Sequence, residues 1–385
     1  MPNTPRPHGI TQREAAAKVA IAVAATSLWG AVVVAPAAEA DAFPLNKAVL
    51  VTDIDAAITD IGATGTGRAT LRAFADFNVP LGVVVRVDEG AGDTDAAKAA
   101  DQDAKVIAGL ELLRTADQAV QARPRIVVAP GLDGLNVAKA LELLAPRLDA
   151  VAYARATGDT TTEIYAYRQT FTGRELFLID GDFIRFDEDA KADVVAYGTA
   201  YAAAMRAHLD GSVGYHKTIS NVPVPGVKGI VRPRSWNLFS ADTEMGLING
   251  ADVTGLIWMD GFRFWGNRGC SVTADYAFES AVRSGQVLKD TIGRGLFPYV
   301  DRPLVGSLPN DVVESINALL RREVRAGRLV GAEVFLSPGN TPDQLAAGKL
   351  KIGRRWTPCA PLEELQETSE ITDEFYAVNG QLTEA

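Results

Sequence analysis

The residues able to do chemistry are few and badly spaced for it. The chain holds three histidines, His8, His208 and His216, and none belongs to an H-E-x-x-H motif, a paired-histidine metal site or a recognisable triad. Gly211-Ser212-Val213-Gly214 misses the G-x-S-x-G nucleophile elbow. Gly62-Ala63-Thr64-Gly65-Thr66-Gly67 stands before a helical pattern, as a phosphate-cradling loop would. Its spacing is neither G-x-G-x-x-G nor a Walker motif with Lys, so it reads as a structural turn. Asp180-Gly181-Asp182 and Asp187-Glu188-Asp189 follow a strand pattern, where layered α/β folds place ligands, and their oxygens would suit a hard cation. The ordered spacing of a calcium loop is missing, and a solvated loop is the preferred reading. Cys270 and Cys359 lie far apart, which implies neither a disulfide framework nor a metal knuckle but two buried or half-buried thiols. The residues thus assign no catalytic group, no cofactor-binding group and no metal ligand, and no cofactor is expected.

The elements that would have to position such groups are easier to read. At 385 residues, 47% hydrophobic and 22% charged, the chain is long enough for two or three structural units with a substantial core. Its net charge of −10 argues against nucleic acid, whose phosphates need a basic face. Ala48 to Thr52, Leu81 to Val87, Arg125 to Ala129, Ala150 to Ala154 and Leu176 to Ile179 read as buried strands. Helical patterns over Gly67 to Asn78, Ala97 to Thr115, Leu135 to Ala145, Thr160 to Thr170 and Asp193 to Leu209 alternate with them. Alternation of this kind needs right-handed crossovers and predicts an α/β fold: a Rossmann-like layered sheet domain.

After Gly211 the character changes. Asn221-Val222-Pro223-Val224-Pro225-Gly226-Val227 is too proline-rich for a central strand and reads as an extended connection. Leu247 to Gly250, Leu256 to Trp258 and Phe262 to Trp265 suggest short strands, followed by helices at about Ala274 to Thr291 and Asp311 to Ala326. The second helix carries Arg321 and Arg325, and with Arg328 they form a basic stripe off its apolar face. These elements predict a smaller α+β C-terminal domain.

Both chain ends lack a core of their own. Met1 to Gln12 has three prolines and no periodicity, and the segment after Pro361 is acidic with no basic residue, alternating only around Phe375, Ala377 and Val378. Extended N- and C-terminal arms are expected, of the kind that pair as strands with another chain. The run Val19 to Ala38 follows Arg6, Arg13 and Lys18 and invites an alternative: a secreted α/β enzyme or ligand-binding protein with residues 1–40 as signal peptide. Val19 to Thr26 and Gly30 to Val34, ending at Pro36, read better as short buried strands, and the run is too polar at its centre for a membrane span.

Gly261-Phe262-Arg263-Phe264-Trp265-Gly266-Asn267-Arg268-Gly269-Cys270-Ser271 resembles the tail-sheath family of contractile phages and R-type tailocins. His8-Gly9-Ile10 resembles that family's N-terminal arm, Phe43 to Val51 its early strand, Ser220 to Gly226 its linker, and Tyr276 onward its terminal-domain helix. Residues 11–40 are richer in alanine than the family pattern, which shifts the arm boundary. The motif itself reads as structural: Phe262, Phe264 and Trp265 supply core area, and Arg263 or Arg268 would pair with a carboxylate while stacking on a ring; Asn267 belongs to the same motif. The resemblance implies a non-enzymatic subunit that polymerises as stacked hexameric rings around a tail tube and contracts to drive the tube through a cell envelope. It implies an arm at 1–18, an α/β domain at 19–210, a tube-facing α+β domain at 211–360 and an arm at 361–385. His8, Gly9, Ile10, Phe375, Tyr376 and Val378 would join neighbouring subunits, and Arg321, Arg325 and Arg328 would face the tube. Implied partners are the chain itself, the tail tube, baseplate and tail terminator proteins, without nucleic acid or membrane insertion. The implied setting is a virion tail or tailocin particle assembled in the bacterial cytoplasm.

Overall fold

The computed structural model describes residues 26–304, 306–373 and 375. His8, Gly9, Ile10, Tyr376 and Val378 lie outside them, as does all of the predicted strand Val19 to Thr26 except its last residue.

Six strands form one sheet: β1 (Trp29–Val34), β2 (Ala48–Val51), β3 (Gly82–Val87), β4 (Ile126–Val128), β5 (Val151–Arg155) and β6 (Leu176–Ile179), in the order β2-β3-β1-β4-β5-β6. Only β2 runs antiparallel to its neighbour; the other pairings are parallel. The helices between them are α1 (Ile54–Asp60), α2 (Gly67–Asp76), α3 (Asp95–Arg114), α4 (Ala116–Ala119), α5 (Leu135–Leu148), α6 (Thr161–Arg168) and α7 (Gly198–Ser212). Successive side chains of a strand point to opposite faces, so β1 feeds two cores. Trp29, Ala31 and Val33 meet α1, α2 and α7 on one side; Val32 and Val34 meet α3 and α5 on the other. This explains why the strands read as unbroken apolar runs.

β1 also decides against an exported protein. It is buried along its whole length between β3 and β4, and Trp29 stacks on Phe74 of α2 with ring centroids 3.9 Å apart. Removing residues 1–40 as a signal peptide would take a central strand out of the sheet.

The glycine run before α2 is a turn shaped by close approach to the end of β1. Gly65 has φ +82°, and a Cβ there would sit 2.2 Å from the Val34 carbonyl oxygen. The Thr66 hydroxyl accepts from Val34 N at 3.1 Å. The loop is occupied by its own chain.

Beyond β6 the structure departs from expectation in four places. β7 (Phe183–Asp187) and β8 (Ala192–Ala196) form a hairpin joined by β9 (Gly229–Ile230), so the helix predicted from Asp193 starts only at Gly198. The predicted strand at Leu247 to Gly250 is the end of a helix, α8 (Glu244–Gly250), because the Thr243 hydroxyl caps it by accepting from Gly246 N at 3.1 Å. The helix predicted at Ala274 splits into a single 3₁₀ turn at Ala274–Tyr276 and α9 (Glu279–Leu296). After α10 (Leu308–Arg325) comes an unpredicted hairpin, β12 (Leu329–Leu336) and β13 (Ile352–Pro358), with α11 (Pro342–Ala346) at its tip. Between α8 and α9, β10 (Gly255–Trp258) and β11 (Phe262–Trp265) pair antiparallel as predicted.

α9 spans two cores. Val282 belongs to the sheet's core, whereas Leu288 and Ile292 pack with Val312, Ile316, Leu319 and Leu320 of α10 and with Leu329 and Val334 of β12.

Candidate functional site

The aromatic and arginine motif sits where the sheet, the connection after Gly211 and the C-terminal segment converge. Phe264 is fully buried and meets Phe183 edge-on, with centroids 5.5 Å apart; Trp265 meets Trp236 the same way at 5.3 Å. The proline-rich connection runs beside β11, with Asn221 N and Val224 N donating to the carbonyls of Phe264 and Phe262 at 2.8 Å each. Arg263 holds it there by donating from Nη1 to Asn221 O at 3.1 Å and from Nε to Met259 O at 2.8 Å. Arg263 therefore serves backbone carbonyls and not a carboxylate.

Arg268 makes the charged contact. Its Nε and Nη2 donate to the two carboxylate oxygens of Glu363 at 2.8 and 2.6 Å, and its guanidinium lies over the Phe278 ring, 4.6 Å from the centroid. The Asn267 carbonyl accepts from Glu279 N at 2.9 Å, so the motif also seats the start of α9. Cys270 is buried and donates its N–H to Leu176 O at 2.9 Å; burial pushes its thiol up to about 12, while Cys359 is half-buried. A cavity of about 540 Å³ lies between the motif, His216 to Asn221 and Cys359 to Glu363.

From Glu363 the C-terminal segment runs through residue 373 without helix or strand, and Leu362, Leu365, Ile371 and Phe375 are all exposed. Ile371 is 101% exposed, so this ribbon buries none of its apolar side chains against its own molecule at that point.

The acidic clusters are a correction. Asp180 is buried, not solvated: Arg234 donates to it from Nε at 2.9 Å and Arg232 from Nη2 at 3.2 Å. Asp182 is also buried and accepts from Gly198 N at 2.9 Å, capping the start of α7. Asp187 and Asp189 turn the β7–β8 hairpin, where Asp189 pairs with Arg68 and Arg72. Among the described residues no group of three or more His, Cys, Asp or Glu is arranged to hold a metal ion.

Sequence reasoning missed a buried charge network between α7 and α9. Arg206 and Arg283 meet Asp210 and Glu279, with all four side chains at most 2% exposed. Arg283 donates to Asp210 Oδ2 from Nε at 2.9 Å and from Nη2 at 2.5 Å. Arg206 Nη2 approaches Asp210 Oδ1 at 2.8 Å, off hydrogen-bond geometry. Glu279 accepts from Thr218 Oγ1 at 2.9 Å, from Ile219 N at 3.0 Å and from the Tyr153 hydroxyl. Burial alone would lower the Arg206 pKa, but Asp210 and Glu279 outweigh it and hold the guanidinium charged; burial and the Glu279 charge push the Tyr153 hydroxyl up. The available signal was Arg206 and Asp210, spaced i, i+4 within the otherwise apolar Tyr201-Ala202-Ala203-Ala204-Met205 helix.

The basic stripe is two residues, not three. Arg321 and Arg325 are exposed on α10, with Arg321 paired to Glu314, but α10 ends at Arg325. Arg328 lies past the turn and points back to the buried Glu323, donating at 3.1 Å.

Comparison with known proteins matches this architecture. No protein-family model matches the chain. The tail sheath protein of Escherichia phage P2 is 40% identical over 368 residues, covering 93% of each chain. The chain belongs to the tail sheath protein family. The major tail sheath protein of Serratia phage KSP20 is 36% identical over 362 residues, 91% of each chain. The fold agrees as well: the sheath complex of an extracellular contractile injection system in the contracted state superposes with a TM-score of 0.72 at 15% identity, over 97% of this chain and 100% of that one. The anti-feeding prophage baseplate in the contracted state gives 0.75 at 16% identity, over 96% and 100%. Among sheath relatives of this kind, a mixed α/β body accounts for every charged cluster above without invoking a ligand.

Proposed function

We propose that the chain is a structural, non-enzymatic subunit of a contractile tail sheath. It polymerises as stacked hexameric rings around a tail tube, and contraction drives the tube through the host envelope. The observation that carries this reading is the C-terminal ribbon, which leaves the body at Glu363 with Leu365 and Ile371 exposed. An apolar, extended segment without a home on its own molecule gains main-chain hydrogen bonds and burial when it pairs with a sister subunit. A contact of that head-to-tail kind that does not close on itself builds an open helical polymer.

On this reading residues 1–18 and 361–385 are inter-subunit arms, residues 19–210 form an outer α/β unit with Rossmann-like layering, and residues 211–360 face the tube. The arms stay paired while the bodies move to a better-packed arrangement, so energy is stored in assembly. The tube, baseplate and tail terminator are its further partners, in a particle assembled in the bacterial cytoplasm; nucleic acid and membrane insertion have no part.

Electron microscopy of the purified full chain tests this: tubular polymers are expected. Truncation past Gly9 or before Asp373 should leave folded monomers, and long polymers from both truncations would defeat arm exchange. Reversing the charge of Arg321 and Arg325 should impair loading onto tubes, and unchanged loading would remove the tube-facing assignment.

A further inference from the structure

Both chain ends are held by one turn of α9. Ser280 donates its hydroxyl to the carbonyl of Cys359 at 3.2 Å, and Cys359 is the first residue past β13, where the C-terminal ribbon departs. Arg283 donates from Nη2 to the carbonyl of Thr26 at 2.5 Å, and Thr26 is the first described residue, three before β1. Residues three apart on a helix are neighbours on one face, with Cβ atoms about 5–6 Å apart.

The hold is stiff. Ser280 is 1% exposed and Arg283 is 0% exposed. Every nitrogen of the Arg283 guanidinium is engaged: Nε with Asp210, Nη1 with Arg125 O at 2.9 Å and Gln286 Oε1 at 3.1 Å, Nη2 with Thr26 O and Asp210. A planar fork with fixed partners cannot swing as a lysine ammonium does. Further along α9, Gln286 donates to Ala150 O at 2.7 Å and Asp290 accepts from Arg125 at 2.5 Å, which pins the helix to the starts of β4 and β5. Leu288 and Ile292 anchor its far side in the third core.

We propose that α9 is a bracket rooting both chain ends, so that pull between a subunit's two neighbours passes through residues 280–283 and not across the six-stranded sheet. This rests on the reading of the chain ends as inter-subunit arms. A load entering at Thr26 reaches Arg283, crosses one helical turn, and leaves through Ser280 to Cys359. The parallel strands, whose ladder bonds would otherwise be sheared in series, stay outside that path. The motif residue Asn267 sets the bracket's position by receiving the first N–H of α9.

The test compares Arg283→Lys with Arg125→Lys in the full chain. Both replace a buried arginine that ties α9 to the sheet, but only the first touches a chain-end root. Melting temperature reports folding, and polymer length after controlled shear, measured by electron microscopy, reports the bracket. Arg283→Lys should shorten sheared polymers roughly fivefold beyond Arg125→Lys, and Ser280→Ala should shorten them about twofold with its melting temperature nearly unchanged. Equal lengths for the two lysine variants overturn the bracket. Should Arg283→Lys fail to fold, wild-type polymer length in Ser280→Ala overturns it alone. No polymers from the unaltered chain would sink the sheath reading itself, and the bracket with it.

Discussion

Arg283 and Asp210 face each other across the α7–α9 contact with neither side chain reachable by water, joined by two hydrogen bonds of 2.9 and 2.5 Å to a single carboxylate oxygen. Taking one charge out of such a group leaves its partner buried and uncompensated, which typically costs about 3–5 kcal/mol. Asp210→Asn keeps the shape and removes the charge, leaving Arg206 and Arg283 with Glu279 alone. Urea unfolding should show a loss of that size. The exposed Arg321–Glu314 pair sets the scale, since Glu314→Gln should cost less than about 1 kcal/mol. A similar small loss for both variants would mean that the α7–α9 contact is hydrated.

Gly82 is required by packing. A Cβ there would lie 2.0 Å from the Trp29 indole, which is itself sandwiched against Phe74 and donates from Nε1 to Val79 O at 3.1 Å. Neither ring has room to retreat, so Gly82→Ala should destabilise by about 2–3 kcal/mol, in the range of overpacked cores. Denaturant titration followed by tryptophan fluorescence reads the loss directly; a change below about 0.5 kcal/mol would show that the indole moves freely.

The elements legible in the sequence are those whose neighbours are local or whose faces are both buried. β1, β3, β4, β5 and β6 announce themselves as valine-rich runs because helices cover both sides. β8 failed because Ala192 to Ala196 is exposed on most of its length and leads straight into an alanine-rich helix, so no periodicity marked the break at Tyr197. Leu247 and Ile248 looked like a strand because the signal that makes them helical, the Thr243 cap, lies four residues upstream. At the candidate site, Phe264 and Arg268 were visible as types, but their partners Phe183 and Glu363 lie 81 and 95 residues away, respectively. The same distance hid Asp180, whose carboxylate is claimed by Arg234 from 54 residues further along.

Asp133 gives a pH-dependent prediction. It is buried after β4, accepts from Arg155 N at 2.9 Å, and lies near Asp182 and the Arg155 guanidinium; burial raises its pKa to about 6. The unfolded value is about 3.9, so the folded state binds this proton more tightly. Ionising Asp133 therefore opposes folding: the penalty is full above pH ~6, fades as pH falls toward ~4, and is on the order of 2–3 kcal/mol. Asp133→Asn should raise the melting temperature relative to the parent at pH 7.5 and give no gain at pH 4. A stability difference independent of pH would contradict the assignment.

The Arg268–Glu363 pair predicts local and not global stability. It is partly exposed, at 35% and 41% for the two side chains, so screening by solvent limits its contribution to unfolding to under about 1 kcal/mol. Yet it is the described ion pair that holds the ribbon after Pro361, and Leu362 and Leu365 contribute no burial to help it. Arg268→Ala removes both hydrogen bonds and the contact with Phe278. The amides of Leu362 to Gln366 should then exchange with deuterium at least tenfold faster, while the amides of β1 and α9 keep their protection. Raising salt should reproduce part of the effect in the unaltered chain, because the pair is screened where the buried Arg283–Asp210 pair is not. If exchange in the ribbon is already at the unprotected rate before substitution, Arg268 does not seat it, and the ribbon's direction of departure must be set at Cys359 alone.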